Sequence, residues 1–156
     1  MTRTPVPKAS KCPSCGLAEL RPRVVDESFE FGAEDGSIVV EARSVPVEIC
    51  AHCGEPLSGR EAALIRHRAI CAALGLLTPE EIKGTRDALN LSQTEFARLT
   101  GIGEATISRW ERGRLLQNRA HDRYLRLLSS NPQNLTLLER LRDQAEARRR
   151  PVASAG

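Results

Sequence analysis

The chain has 156 residues, is 40% hydrophobic but only 3% aromatic, and carries a net charge of +3. That length holds one ordinary domain or two small ones, and so few aromatics argue against a large aromatic-rich core. No apolar run approaches the roughly 20 residues of a membrane-spanning helix, which speaks against a membrane protein.

From the start, Met1 to Lys11 is polar, bears prolines and lacks an apolar core, so no signal peptide is expected. Cys12-Pro13-Ser14-Cys15 follows, and Cys50-Ala51-His52-Cys53 repeats its spacing. A CxxC pair puts two thiolates on one tight turn, and two such turns supply the four sulfurs of a tetrahedral metal site, each about 2.3 Å from the ion. Glycine follows each knuckle, at Gly16 and Gly54, where it lets the chain leave the turn with positive φ. One structural zinc ion per chain is the expected cofactor, held by Cys12, Cys15, Cys50 and Cys53, since nothing in the sequence resembles a redox-partner site. Iron at the same sulfurs, a pair of disulfides and a redox-active CxxC are the alternatives; a reducing compartment disfavours the disulfides. His52 lies within the second knuckle but is superfluous to a shell that four cysteines close. Cys71, in a helical pattern, reads as a buried small apolar residue before it reads as a reactive thiol.

Between the knuckles, Arg21 to Phe31 and Ser37 to Ile49 are rich in valine, isoleucine and phenylalanine, and Gly32 to Gly36 forms a turn between them. Pro46 is expected to break or edge the second run, giving three short strands of a small antiparallel sheet. After Cys53 the pattern turns helical. Ser58 and Glu61 have capping-box spacing, and Ala62, Leu64, Ile65, Ala69, Ala73 and Leu74 continue an apolar pattern to Gly75. Thr78-Pro79-Glu80-Glu81 is a second box with proline at the first helical position, and its helix runs to about Leu89. Ser92 and Glu95 cap another that ends near Thr100-Gly101; a third spans Gly103 to Gly113; Asn118 to Ser129 makes a fourth, and Asn131-Pro132 opens a fifth.

The expected fold class is α+β. A small N-terminal zinc-binding β domain, residues 1–75, precedes an all-α five-helix helix-turn-helix domain, residues 76–150, with 151–156 a disordered tail. Charge divides along the same line. Between Gly16 and Glu55 only Arg21, Arg23 and Arg43 oppose nine acidic residues, whereas arginines crowd the chain from Arg86 to Arg150. Such a split suits two partners, the basic surface facing phosphate.

The pair of short helices joined at Thr100-Gly101-Ile102 has the length and turn of a helix-turn-helix, whose second helix lies in the major groove of double-stranded DNA. At about 100° per residue, Ile107 and Trp110 share the inner face and meet Phe96, Ala97, Leu89 and Ile82. Ala105, Arg109 and Arg112 fall on the opposite face, flanked by Thr106 and Ser108. Arg109 is placed to reach guanine O6 and N7, and Thr106 a base edge or a thymine methyl. Gln93, opening the preceding helix, suits a phosphate, as do Arg112 and Arg114 behind the reading helix. A dimer of such modules sets its reading heads about 34 Å apart and demands a palindromic operator. Leu125, Leu127, Leu128, Leu135, Leu138 and Leu141 offer apolar surface for a two-fold interface, or else close the monomer's own core. His52, His67 and His121 fall in separate elements with no nucleophile beside them, so an enzyme is not expected.

Leu91 to Ala97 and Ile107 to Gly113 resemble the Xre-type helix-turn-helix. With the double CxxC domain before it, the chain from Lys11 to Leu138 is similar to the MqsA-type antitoxins, which join a YgiT-type zinc finger to such a module. The resemblance implies a zinc domain that clasps a small basic ribonuclease toxin, and a C-terminal domain that forms a homodimer and represses its own operon in the cytoplasm. Cys12, Cys15, Cys50 and Cys53 match the family's zinc ligands, and Arg109 matches its base-reading arginine. The family's asparagine one turn earlier corresponds to Ala105, which moves weight to Thr106. Two other readings are a stand-alone zinc-containing helix-turn-helix regulator without a toxin partner, and a redox protein with iron at the four sulfurs.

Overall fold

The structure, a computed structural model, describes residues 11–33 and 36–149. These residues divide between Ala73 and Leu74 into two compact units. The expected tail at 151–156 lies outside the described residues, as do Glu34 and Asp35 of the expected turn.

In the first unit, β1 (Leu20–Ala33) and β2 (Gly36–Cys50) form a long antiparallel hairpin, and β3 (Pro56–Ser58) adds to the other side of β2. β-branched and aromatic residues at every second position give the hairpin one inward face: Phe29 opposes Val40, and Val25 opposes Val45. Between Val25 and Glu27 the register slips, so that Arg43 and Ser44 together face Asp26. Ser44 takes φ +55°, and its N–H is satisfied by the Asp26 carboxylate at 2.8 Å. This bulge keeps Val45 and Val47 on the inner face beyond it.

Two expectations are corrected here. Pro46 neither breaks nor edges β2, which runs through it as the central strand. β3 pairs only with Val47 to Ile49, so Pro46 has β1 as its one neighbour and the ladder asks for no donor on the other side. The third strand arises after the second knuckle. Ser58 likewise belongs to β3 and does not cap the next helix: its hydroxyl accepts from Arg66 at 2.9 Å, and α1 (Arg60–Leu74) begins two residues later. Arg66 also grips Glu27 through two bonds of 2.6 and 2.7 Å, pinning α1 to β1. Ala62, Ile65 and Ala69, spaced along one face of α1, pack on Ala42, Val45 and Val47.

Among the described residues the second unit has five helices: α2 (Pro79–Ala88), α3 (Gln93–Thr100), α4 (Glu104–Glu111), α5 (Arg119–Ser130) and α6 (Pro132–Arg149). The capping boxes form as expected, Thr78 with Glu81 and Ser92 with Glu95, and Asn118 caps α5 by accepting from His121 N–H. Gly101 ends α3 in the left-handed conformation, φ +73°, where a side chain would be strained. Ile82, Phe96, Ile102, Ile107, Trp110, Leu125 and Leu128 make one core. The fully buried Phe96 is the sort of residue whose truncation to alanine costs about 3–5 kcal/mol.

Candidate functional site

The two knuckles are built alike. In each, the first cysteine's carbonyl accepts from the glycine four residues on, Gly16 N–H at 2.8 Å and Gly54 N–H at 2.9 Å. The first cysteine's own N–H in turn reaches the carbonyl of Leu17 or Glu55. Both glycines take positive φ, +77° and +74°, and Ala51 N–H to Glu19 O, 2.9 Å, ties one knuckle to the other. The result brings all four sulfurs within 4.8 Å of one another.

Cys12 Sγ lies 3.7 Å from Cys53 Sγ, and Cys15 Sγ 3.6 Å from Cys50 Sγ. Disulfides, with sulfurs about 2.05 Å apart, are therefore not formed. Four sulfurs about 2.3 Å from one tetrahedral ion stand about 3.8 Å apart, so the donor set fits zinc in both chemistry and size. The four thiols also influence one another. The backbone N–H groups of Cys53 and His52 hold the Cys50 thiol down to about 6. At Cys53 the backbone N–H of Glu55 favours the thiolate, but burial and the sulfurs of Cys50, Cys12 and Cys15 outweigh it and push the thiol up to about 12. Four thiolates this close need a cation among them. His52 stays outside the shell, exposed, with its Nε2 3.6 Å from Glu19.

In the second unit, the three-residue turn Gly101 to Gly103 joins α3 to α4. Ile107 and Trp110 are buried, while Ala105, Arg109 and Arg112 are exposed and Thr106 and Ser108 half-buried, which leaves an open face along α4. Arg114 is exposed just beyond Gly113, whose φ of +63° turns the chain after α4. Gln93 is half-buried, and its amide donates to Glu111 Oε2 at 2.7 Å, so that amide nitrogen already has a partner within the protein. Of the six leucines with a possible role in an interface, Leu125 and Leu128 are core, Leu135 and Leu138 pack against it, and Leu127 and Leu141 remain 62% and 51% exposed.

Two buried polar clusters were not foreseen. Arg86 donates to both carboxylate oxygens of Glu111, at 2.6 and 3.0 Å, and to Leu91 O at 2.7 Å. Glu111 thus binds α2 and the start of α3 to the end of α4, and its hydrogen bonds raise the Arg86 guanidinium pKa further. Asp122, on α5, accepts from Leu77 N–H at 2.6 Å, Arg126 Nε at 2.7 Å and Gln117 Nε2 at 3.2 Å. Burial pushes its carboxyl up, but these donors prevail and hold it below the usual carboxylate range. The sequence does not mark the Glu111–Arg86 pair or the Leu77–Asp122 bond, because these partners lie 25 and 45 residues apart, although Arg126 and Gln117 reach Asp122 from four and five residues away.

Comparison with known proteins places this arrangement. Antitoxin HigA-2 of Vibrio cholerae is 32% identical over 65 residues, 42% of this chain. The match spans 62% of that relative's length, less than two thirds. Residues 10–142, which take in both the four cysteines and the helix-turn-helix, match the model of the MqsA family, described as the antitoxin component of a bacterial toxin-antitoxin system. The chain belongs to that family.

Proposed function

We propose that this chain is an antitoxin that neutralises a small basic ribonuclease toxin through its zinc-bearing residues 1–75 and, as a homodimer, represses its own operon by binding a palindromic operator through residues 76–150. The observation that carries the DNA half is the face of α4. Ala105, Arg109 and Arg112 stand exposed opposite the buried Ile107 and Trp110, the presentation a recognition helix needs in the major groove. Arg109 reads guanine, Thr106 and Ser108 flank it, and Arg112, Arg114 and the α3 terminus at Gln93 hold phosphates. Support for the toxin half is electrostatic: Asp26, Glu30, Glu41 and Glu48 are all exposed on the hairpin, a surface complementary to a basic partner. The chain acts by binding, in the cytoplasm, and not by catalysis.

The test pairs two measurements. Arg109→Ala is expected to weaken operator binding by about 1–3 kcal/mol and to erase preference at one base pair, whereas Arg114→Ala weakens all sequences alike. Unchanged operator preference in Arg109→Ala refutes the recognition role. The product of the adjacent small gene is expected to be toxic alone and to co-purify with this chain; a harmless neighbour that fails to bind leaves only a stand-alone regulator.

A further inference from the structure

The first turn of α4 has an unusual reading edge. Glu104 is exposed, yet its carboxylate accepts from Thr94 Oγ1 at 3.0 Å and is thereby drawn toward α3. The Gln93 amide is engaged by Glu111. Thr106 is half-buried, with Oγ1 3.8 Å from where a Cβ on Gly103 would stand, so its hydroxyl is turned back toward the start of the helix. What remains outward at this end of the face is the methyl group of Ala105, one turn before Arg109.

We propose that Ala105 is a specificity residue whose methyl packs on the C5-methyl of a thymine within about two base pairs of the guanine read by Arg109. The inference rests on the reading that α4 enters the major groove. Four residues of helix rise about 6 Å, and base pairs stack about 3.4 Å apart, which sets the separation. Thymine alone offers a methyl in the major groove, and alanine is a natural apolar contact for it. An amino group of adenine or cytosine buried at the same place loses water and finds no acceptor on Ala105. Cβ is so short that the α4 backbone itself must approach the base edge, and Gly103, with only Thr106 Oγ1 within 4 Å of its absent Cβ, adds no bulk to the helix start.

The experiment selects the preferred duplex with the full chain, then replaces each thymine near the guanine singly by deoxyuridine, which deletes only the methyl. Binding of the wild-type chain is expected to weaken about fourfold at one such position, the factor for one buried methyl group. The same replacement is expected to be silent in Ala105→Gly and in Ala105→Ser, the second variant guarding against a folding defect in the first. A selected site without thymine in that window, or wild-type binding indifferent to every deoxyuridine while Arg109→Ala still loses its guanine preference, overturns the role of Ala105 alone. Deoxyuridine sensitivity that persists in both variants assigns the methyl to another residue and also overturns it. If Arg109→Ala too keeps full preference, the groove reading of α4 falls with it.

Discussion

Arg86→Ala tests how the helix-turn-helix is braced. The Arg86 side chain is 11% exposed and that of Glu111 4%, so their mutual contact is shielded from solvent and largely from salt. Removing the guanidinium takes two hydrogen bonds from the Glu111 carboxylate and one from the Leu91 carbonyl. The carboxylate then keeps the Gln93 amide at 2.7 Å, one neutral donor for a buried charge. Breaking a buried pair from one side costs about 3–5 kcal/mol. With a urea dependence of about 1 kcal/mol per molar for so small a unit, the midpoint falls by about 3 M or more. Trp110 is the single tryptophan and is buried in this unit, so its fluorescence follows the unfolding of α2–α6. The double variant Arg86→Met/Glu111→Leu removes both charges at similar volume and is expected to recover to within about 1 kcal/mol of the parent. A single variant costing under about 1 kcal/mol, or a double variant as unstable as the single, refutes the reasoning.

Removal of zinc by a strong chelator is expected to unfold the β1–β3 unit, visible as lost strand signal in circular dichroism, with Trp110 fluorescence unchanged; a shift in that fluorescence contradicts it. Because the neighbouring sulfurs push the Cys53 thiol up to about 12, zinc uptake should release protons and its affinity should fall as pH is lowered, measurable by competition with a chromogenic chelator. Asp122 has a folded pKa lowered below its unfolded value, so its contribution is present above the unfolded value near 3.8 and is lost as pH falls through the folded one. Asp122→Asn should flatten that acid limb of the Trp110 unfolding curve, and an unaltered limb counts against it. Gly101→Ala places a Cβ in open space but at φ +73°, so about 1–2 kcal/mol of destabilisation is expected from backbone strain alone; a neutral result by urea titration means the turn relaxes.

How much was legible depended on how far apart the partners lie in the chain. Both knuckles, the boxes at Thr78 and Ser92, the Asn118 cap and the glycine stop at Gly101 each satisfy backbone groups with residues three to five positions away, so sequence spacing contains the whole interaction. The inner face of α4 was equally readable, because the helical period places Ile107 and Trp110 together wherever the helix docks. Ser58 shows the limit of such reasoning. Its spacing to Glu61 imitates a capping box, but pairing with β2 holds it in a strand and Arg66 takes its hydroxyl.

Sequence by itself therefore determined the two CxxC knuckles, the order of the helices after them, and the residues on the open face of α4, since each follows from local geometry. Tertiary structure alone decided the course of β2 through Pro46, where the neighbouring strand ends, and the division of the leucines into core and surface. It alone also decided the pairing of Arg86 with Glu111, the bond from Leu77 N–H to Asp122, and the meeting of sulfurs that lie 35 and 41 residues apart. A buried charge takes whichever complementary group packing brings within about 3 Å, and packing joins residues that the chain keeps 25 or 45 positions apart.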